Sequence, residues 1–343
     1  MDPIASANAG SPVGKATVAR WPTALVYDGA FKEHLTDDGH PERPARYDAV
    51  MGALAAAPYF GRVLHLPPRP ATDEDLVRCH SPEYLDVVAQ AVAAGERYLP
   101  TGDTLIGPRS LDVARLAAGA VLQAVDAVAD GRVRNAFCVV RPPGHHANTY
   151  RGSGFCVFNN VAVGARYAQS RHGIERVLIV DWDVHHGNGT QDVFYRDDSV
   201  LFFSTHQSPW YPSTGHATER GAGRGEGYTV NCPLPAGAGR AEVVRAFAGK
   251  LRPAAERFRP QLVMISAGFD SRDGDPLGRF RLTDDDFAEL THLVTDIADD
   301  HAGGRVVSVL EGGYNLAGLA SAAASHVGAL VAAATPSPPI VVS

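Results

Sequence analysis

The strongest constraint on this chain is an alternation. Short apolar runs rich in β-branched residues, at 23–28, 135–140, 176–184, 199–206, 260–270 and 304–314, are separated by Ala-, Leu- and Arg-rich amphipathic segments. The helical candidates are 43–56, 82–94, 109–130, 158–171, 240–257, 283–300 and 316–333. This rhythm predicts βαβ units and a single α/β domain built on a mainly parallel sheet sandwiched by helices. Five of the runs end in groups that carry chemistry: RPPGHH after 140; Asp181, Asp183 and His185; Ser204, Thr205 and His206; Asp270; and Glu311, Gly312, Gly313 and Tyr314. Open parallel sheets bind ligands outside the carboxyl ends of their strands, so these groups are expected to share one crevice.

Residues 1–20 are small, polar and punctuated by Gly and Pro, and 334–343 contain TPSPP; both read as loosely ordered ends around one domain over 21–333. With 45% hydrophobic and 20% charged residues the chain is expected to be folded and soluble. Its net charge of −7 argues against a protein that coats nucleic acid. Cys79, Cys138, Cys156 and Cys232 are too few and too irregular for a disulfide framework or a CxxC metal site, so a reducing, cytoplasmic home is expected. No apolar stretch approaches the ~20 residues of a membrane span. The 14 histidines direct attention to metal or acid/base chemistry.

In DWDVHHGNGT, an extended chain would put Asp181, Asp183 and His185 on one face. Two carboxylates and an imidazole crowded together are costly unless a cation lies between them, which points to a metal site. A polar strand end with hydrogen-bonded histidines is the plainer reading. Asp270 closes a nearly continuous apolar strand, where a lone carboxylate needs a partner; otherwise it caps a following helix. An Asp/His/Asp set from two strands leaves open positions, as catalytic zinc sites do, and its N/O donors suit Zn²⁺, with Fe²⁺ or Co²⁺ also compatible.

His145 and His146 follow Pro142, Pro143 and Gly144, a stiff turn able to aim both imidazoles at one site. Neutral histidine near pH 7 serves as general base and then general acid. Tyr314, after two glycines, offers a phenol to a developing oxyanion.

RPPGHHA (141–147), GFCVFNN (154–160), DWDVHHGNGTQD (181–192), SAGFD (266–270), DPLG (275–278) and EGGYN (311–315), with HPERPARYDAV (40–50) ahead of them, resemble the zinc-dependent histone deacetylase family. The likeness is closest to its class II branch and the bacterial histone deacetylase-like amidohydrolases, and covers about 23–332. It implies the arginase-deacetylase fold, with about eight parallel strands, and one zinc per chain on Asp183, His185 and Asp270. It makes His145 and His146 a catalytic dyad backed by Asp181 and Asn188, with Tyr314 polarising the substrate carbonyl. Asn188 replaces the class I Asp, which favours a neutral, basic His146. Gly154, Phe155, Tyr211, Leu277 and Gly312 would contact substrate, and Asp103 would hold its backbone at the rim. The resemblance also implies structural K⁺ at Asp181, Asp183, His185, Ser204 and Thr205, and again at Phe194, Asp197, Val200 and Tyr228.

The expected activity is hydrolysis of an acetyl or other acyl group from an amine such as the lysine side chain, on a peptide, protein or small molecule. An acetylpolyamine amidohydrolase on the same fold is the main competitor, although Leu277 stands where some polyamine-selective members carry Glu. A two-metal, arginase-like hydrolase needs another ligand beside Asp270, and position 272 is Arg. A silent binding module is disfavoured because every group needed for hydrolysis is present. Neither nucleic acid nor membrane is an expected partner, and the oligomeric state is left open.

Overall fold

The computed structural model describes residues 22–335; the expected loose segment 1–20 and nearly all of 334–343 lie outside them. Eight strands, β1 (Thr23–Val26), β2 (Leu64–Leu66), β3 (Asn135–Cys138), β4 (Val177–Asp181), β5 (Val200–Gln207), β6 (Thr229–Leu234), β7 (Leu262–Ala267) and β8 (Val306–Leu310), form one sheet in the order β2-β1-β3-β8-β7-β4-β5-β6. Every pairing is parallel. The six apolar runs account for the six interior strands, β1, β3, β4, β5, β7 and β8. The edges β2 and β6 escaped that reading because LHL is short and TVNCPL mixes Asn and Pro with apolar residues, as half-covered edge strands do.

The helices are α1 (Ala45–Ala56), α2 (Asp73–Leu76), α3 (Pro82–Ala93), α4 (Ser110–Ala129), α5 (Asn160–His172), α6 (Asn188–Phe194), α7 (Arg240–Ala246), α8 (Arg252–Phe258), α9 (Asp284–His301) and α10 (Leu316–Ala334). α4 packs with α5 and against β1, β3 and β8, while α10 packs with α1 and α9 and reaches β1 and β3. The expected helix over 240–257 is broken by a π turn at Phe247–Leu251 beside Pro253, which has no N–H for the helical ladder. α10 corrects a second expectation, since it is long and apolar enough by composition to cross a membrane. Here it is a core helix, and its buried His326 bonds Thr291 Oγ1 (2.6 Å) and Ser308 Oγ (2.8 Å).

Sheet order decides the location of the site. β3, β8, β7, β4 and β5, the strands that end in chemistry, are five neighbours at the centre of the sheet. Their buried runs, such as VLIVD, LVMIS and VVSVL, secure the strands so that the loops leaving them converge.

Candidate active site

β4 ends at Asp181 and the chain then bends, so Asp181, Asp183 and His185 do not share the face that an extended strand would give them. Asp183 and His185 turn toward Asp270, and the donor atoms of these three buried residues lie within 4.8 Å of one another. His185 Nδ1 is 3.0 Å from Asp183 Oδ1 and 3.1 Å from Asp270 Oδ2. Asp270 is no helix cap: its Oδ1 accepts the Val184 N–H at 2.8 Å, and Thr283 caps α9.

The donor set fits a catalytic zinc: one imidazole nitrogen, two carboxylates, no thiolate, and a cavity alongside. The two acids are driven apart in charge. Burial works against Asp183, but His145 and His185 outweigh it and hold its carboxyl below the usual range. Burial and the charge of Asp183 push Asp270 up to about 7. Such a pair is suited to a cation that lets both ionise. Backbone supports the donors from behind, since Gly312 N–H donates to Asp183 Oδ2 at 2.9 Å. A Cβ on Gly312 would stand 2.1 Å from Asp270 Oδ2, and one on Gly268 2.1 Å from Asp183 Oδ2. Gly312, expected to touch substrate, lies directly against both carboxylates.

Asp181 serves the histidine pair, its Oδ2 lying 3.0 Å from His145 Nδ1. Burial opposes a charge on His145, yet Asp183 and Asp181 raise its pKa well above the ordinary value. His146 goes the other way: burial, followed by the charges of His145 and His185, lowers it well below. Its Nδ1 is 2.7 Å from Asn188 Oδ1, and the two imidazoles stack with centroids 4.0 Å apart. The two imidazoles are thus shifted in opposite directions. Both are almost completely buried, not the solvated loop residues that a polar turn suggests.

A cavity of about 240 Å³ descends to these groups, lined by Asp103, His146, Gly154, Phe155, His185, Trp210, Tyr211, Leu277 and Tyr314. Phe155 adopts φ +67°, a left-handed conformation that costs a non-glycine residue on the order of 1 kcal/mol. Gly154, at φ +56°, has no room for a side chain because a Cβ would fall 2.3 Å from His146 Cδ2. Asp103 Oδ1 accepts the Gly154 N–H at 2.7 Å, and Asp103 is exposed at the cavity lining. Trp210 was not anticipated; its indole N–H donates to the Leu277 carbonyl at 2.8 Å and ties two walls together.

Two more residues were passed over. Glu311 directly follows β8, and its Oε2 accepts the N–H groups of Gly144 (2.6 Å) and His145 (3.2 Å) while Oε1 accepts from Ser266 Oγ (3.0 Å). Asp275 accepts the N–H groups of Tyr314 (2.7 Å), Asn315 (3.0 Å) and Leu277 (2.9 Å). Both are acids facing backbone donors on other segments, a relation that spacing along the chain does not reveal. Arg272 pairs with Asp284 at 2.6 Å, away from Asp270, and Asp183, His185 and Asp270 are the one metal-type cluster among the described residues.

Ser204 stands beside Asp181 in the β4–β5 register, at the end of the sheet that carries Asp183, His185 and Asp270. Phe194, Asp197, Val200 and Tyr228 gather at the opposite end of β5 and near β6, where Asp197 N–H donates to the Phe194 carbonyl and Phe202 N–H to that of Tyr228. The Asp197 carboxylate accepts from Ser199 and pairs with Arg166 at 2.6 Å.

Residues 40–330 match the family model of the histone deacetylase domain. The chain belongs to the histone deacetylase family. It is 44% identical over 299 residues to a histone deacetylase-like amidohydrolase of Pseudomonas aeruginosa, covering 87% of this chain and 78% of that one. It is 41% identical over 298 residues to a probable deacetylase of Archaeoglobus fulgidus, covering 86% and 82%. A polyamine deacetylase of Homo sapiens is 43% identical over 333 residues, which take in 93% of this chain but only 49% of the human protein's length. The crystal structure of the HDA15 HD domain superposes with a TM-score of 0.87 at 40% identity, covering 93% and 91% of the two chains. This is a hydrolytic domain family, and the chain is accordingly an enzyme of the deacetylase and amidohydrolase type.

Proposed function

We propose that this chain hydrolyses the amide of an acetylated or otherwise acylated primary amine such as the lysine side chain, using zinc held by Asp183, His185 and Asp270. The observation that carries the proposal is convergence: Asp183, His185 and Asp270 bring their donor atoms within 4.8 Å of one another, and His185 lines one cavity together with His146, Tyr314, Phe155 and Tyr211. A cavity of about 240 Å³ walled by Phe155, Trp210 and Tyr211 suits an unbranched stem, with the amide delivered beside His185 and Tyr314. Zinc, when bound, supplies Lewis acidity to the carbonyl oxygen and to an attacking water.

The protein supplies the remaining chemistry. The Asn188 carbonyl oxygen can only accept, so His146 keeps its proton on Nδ1 and presents Nε2 as the base that takes a proton from water. A histidine of the pair, His146 or His145 with its Nδ1 3.0 Å from Asp181 Oδ2, then protonates the departing amine. Tyr314 keeps its phenol proton, since burial raises its pKa well above the ordinary value, and donates it as a hydrogen bond to the oxyanion. The products are a carboxylate and a free amine. Tyr314→Phe and His146→Ala should each lower turnover at least ~100-fold. Near wild-type rates in either zinc-loaded variant would remove it from this scheme.

A small acylated amine is the second reading, favoured by the polyamine deacetylase among the relatives. Leu277 at the cavity wall offers no charge to a polycation and supports the neutral lysine stem. Turnover of an acetyl-lysine peptide against N-acetylputrescine, with metal analysis expected to return one zinc per chain, decides between them. Structural K⁺ would occupy Asp181, Asp183, His185, Ser204 and Thr205, and separately Phe194, Asp197, Val200 and Tyr228. Four buried, unpaired cysteines support a reducing, cytoplasmic setting.

A further inference from the structure

HPERPARYDAV enters the fold through a buried ionic junction that the scheme above leaves without a role. Glu42, Arg46 and Arg141 are each wholly inaccessible to solvent. Arg141 grips Glu42 with two bonds, Nε to Oε1 at 2.5 Å and Nη2 to Oε2 at 2.7 Å. Arg46 Nη1 reaches the same Oε1 at 3.1 Å. Burial opposes a charged Glu42, but the two guanidinium groups outweigh it and hold its carboxyl down at about 2. Neighbouring His34, lowered to about 4 by burial, stays neutral. Removing charges from water is expensive, and a buried ion pair is weak grounds for stability by itself, so the remaining contacts of the junction indicate its use.

Those contacts lead to both catalytic segments. Arg46 Nε donates to the Gly313 carbonyl at 2.7 Å and Nη2 to the Glu311 carbonyl at 2.5 Å, and its guanidinium lies 5.0 Å from the centre of the Tyr314 ring. Arg141 begins the turn that delivers His145 and His146, and it anchors to the first loop through the Phe31 and His34 carbonyls. One carboxylate thus fixes two arginines, one against the Glu311 and Gly313 carbonyls and the ring of Tyr314 and the other at the root of the histidine turn. Neither Phe155, Tyr211 nor Leu277, which wall the cavity, belongs to the junction.

We propose that Glu42 is a positioning residue, which acts through Arg46 to hold the Tyr314 phenol where the substrate oxyanion forms. The assignment rests on the proposed role of Tyr314. Displacing a reacting group by about an ångström costs on the order of 100-fold in rate. Zinc-loaded Glu42→Gln should therefore lose about 10- to 100-fold in kcat, with KM within about threefold of wild type because the cavity walls are untouched. The decisive comparison repeats the substitution in Tyr314→Phe, where there is no phenol to misplace. There the further loss should shrink below about threefold, since groups acting as one unit are not additive. A structural defect would instead multiply both enzymes by the same factor, and that outcome overturns the proposal, as does unchanged kcat in folded Glu42→Gln. Should Glu42→Gln fail to fold, Glu42→Asp keeps the charge but shortens its reach and carries the same comparison. A wild-type rate in Tyr314→Phe would overturn the hydrolytic scheme itself; a crippled Tyr314→Phe beside a fully active Glu42→Gln overturns the positioning role alone.

Discussion

Replacing Gly312 by alanine tests the metal site without touching a donor atom. An alanine Cβ there would lie 2.1 Å from Asp270 Oδ2 and 2.5 Å from Asp183 Oδ2. The shortest contact that real Cβ atoms make is about 3.0 Å, so the oxygens would have to retreat by at least 0.9 and 0.5 Å. Metal–ligand distances tolerate only about 0.2 Å. Both carboxylates are buried and tied to backbone N–H groups, Asp270 to Val184 and Asp183 to Gly312 and His185, so retreat also strains those bonds. Loss of support behind the donors commonly costs 10- to 100-fold in metal affinity, about 1.4–2.8 kcal/mol, and displacement of two donors places Gly312→Ala at or beyond the upper end. Zinc dissociation constants from chelator competition would measure it, together with the rise in thermal midpoint on adding zinc, which should shrink in the variant. Gly249→Ala is the control, because a Cβ there meets nothing within 4 Å; it should leave zinc affinity unchanged. Wild-type zinc affinity in folded Gly312→Ala would refute the reasoning and detach the metal from Asp183 and Asp270.

Asn188→Asp would set a carboxylate against His146 Nδ1 and raise the imidazole pKa, so the acidic limb of the kcat/KM profile should move to higher pH by at least about one unit; an unmoved limb would mean His146 is not the base. Asp275→Ala strips the acceptor from three N–H groups, including that of Tyr314, and should cost about 3 kcal/mol in urea unfolding together with much of kcat. His326 is held neutral in the core, its pKa pushed by burial down to about 3, whereas the unfolded chain takes up that proton below its ordinary value of 6.5. Wild type should thus lose stability against His326→Gln as pH falls from 6.5 toward 4, at ~1.4 kcal/mol per pH unit, read from urea midpoints across that range. A constant difference between the two proteins would contradict a neutral buried His326.

Much of the site was legible because its residues are irregular against a regular background. Buried parallel strands read as unbroken apolar runs, so an acid or histidine pair at the end of a run stands out. Asp183, His185, Asp270, His145 and His146 were found in that way, and Tyr314 by its place after two glycines. Residues that act through backbone gave no such signal. Asp275 and Glu311 accept N–H groups of segments up to 167 positions away, and Trp210 meets a carbonyl 67 positions distant. The edge strands β2 and β6 were missed for the opposite reason, their half-exposed sequences carrying no continuous run.

Local sequence determined the kind of fold and the stock of chemical groups, since side-chain periodicity and strand-end chemistry are properties of neighbours along the chain. Tertiary structure decided which groups act together. The bend after Asp181 separated it from Asp183 and His185 and gave it to His145. The packing of Gly312 against two carboxylates placed a residue chosen for substrate contact directly beside Asp183 and Asp270. Partnership of this sort depends on sheet order and on which buried polar groups can satisfy one another, and in a parallel sheet those partners come from strands far apart in sequence.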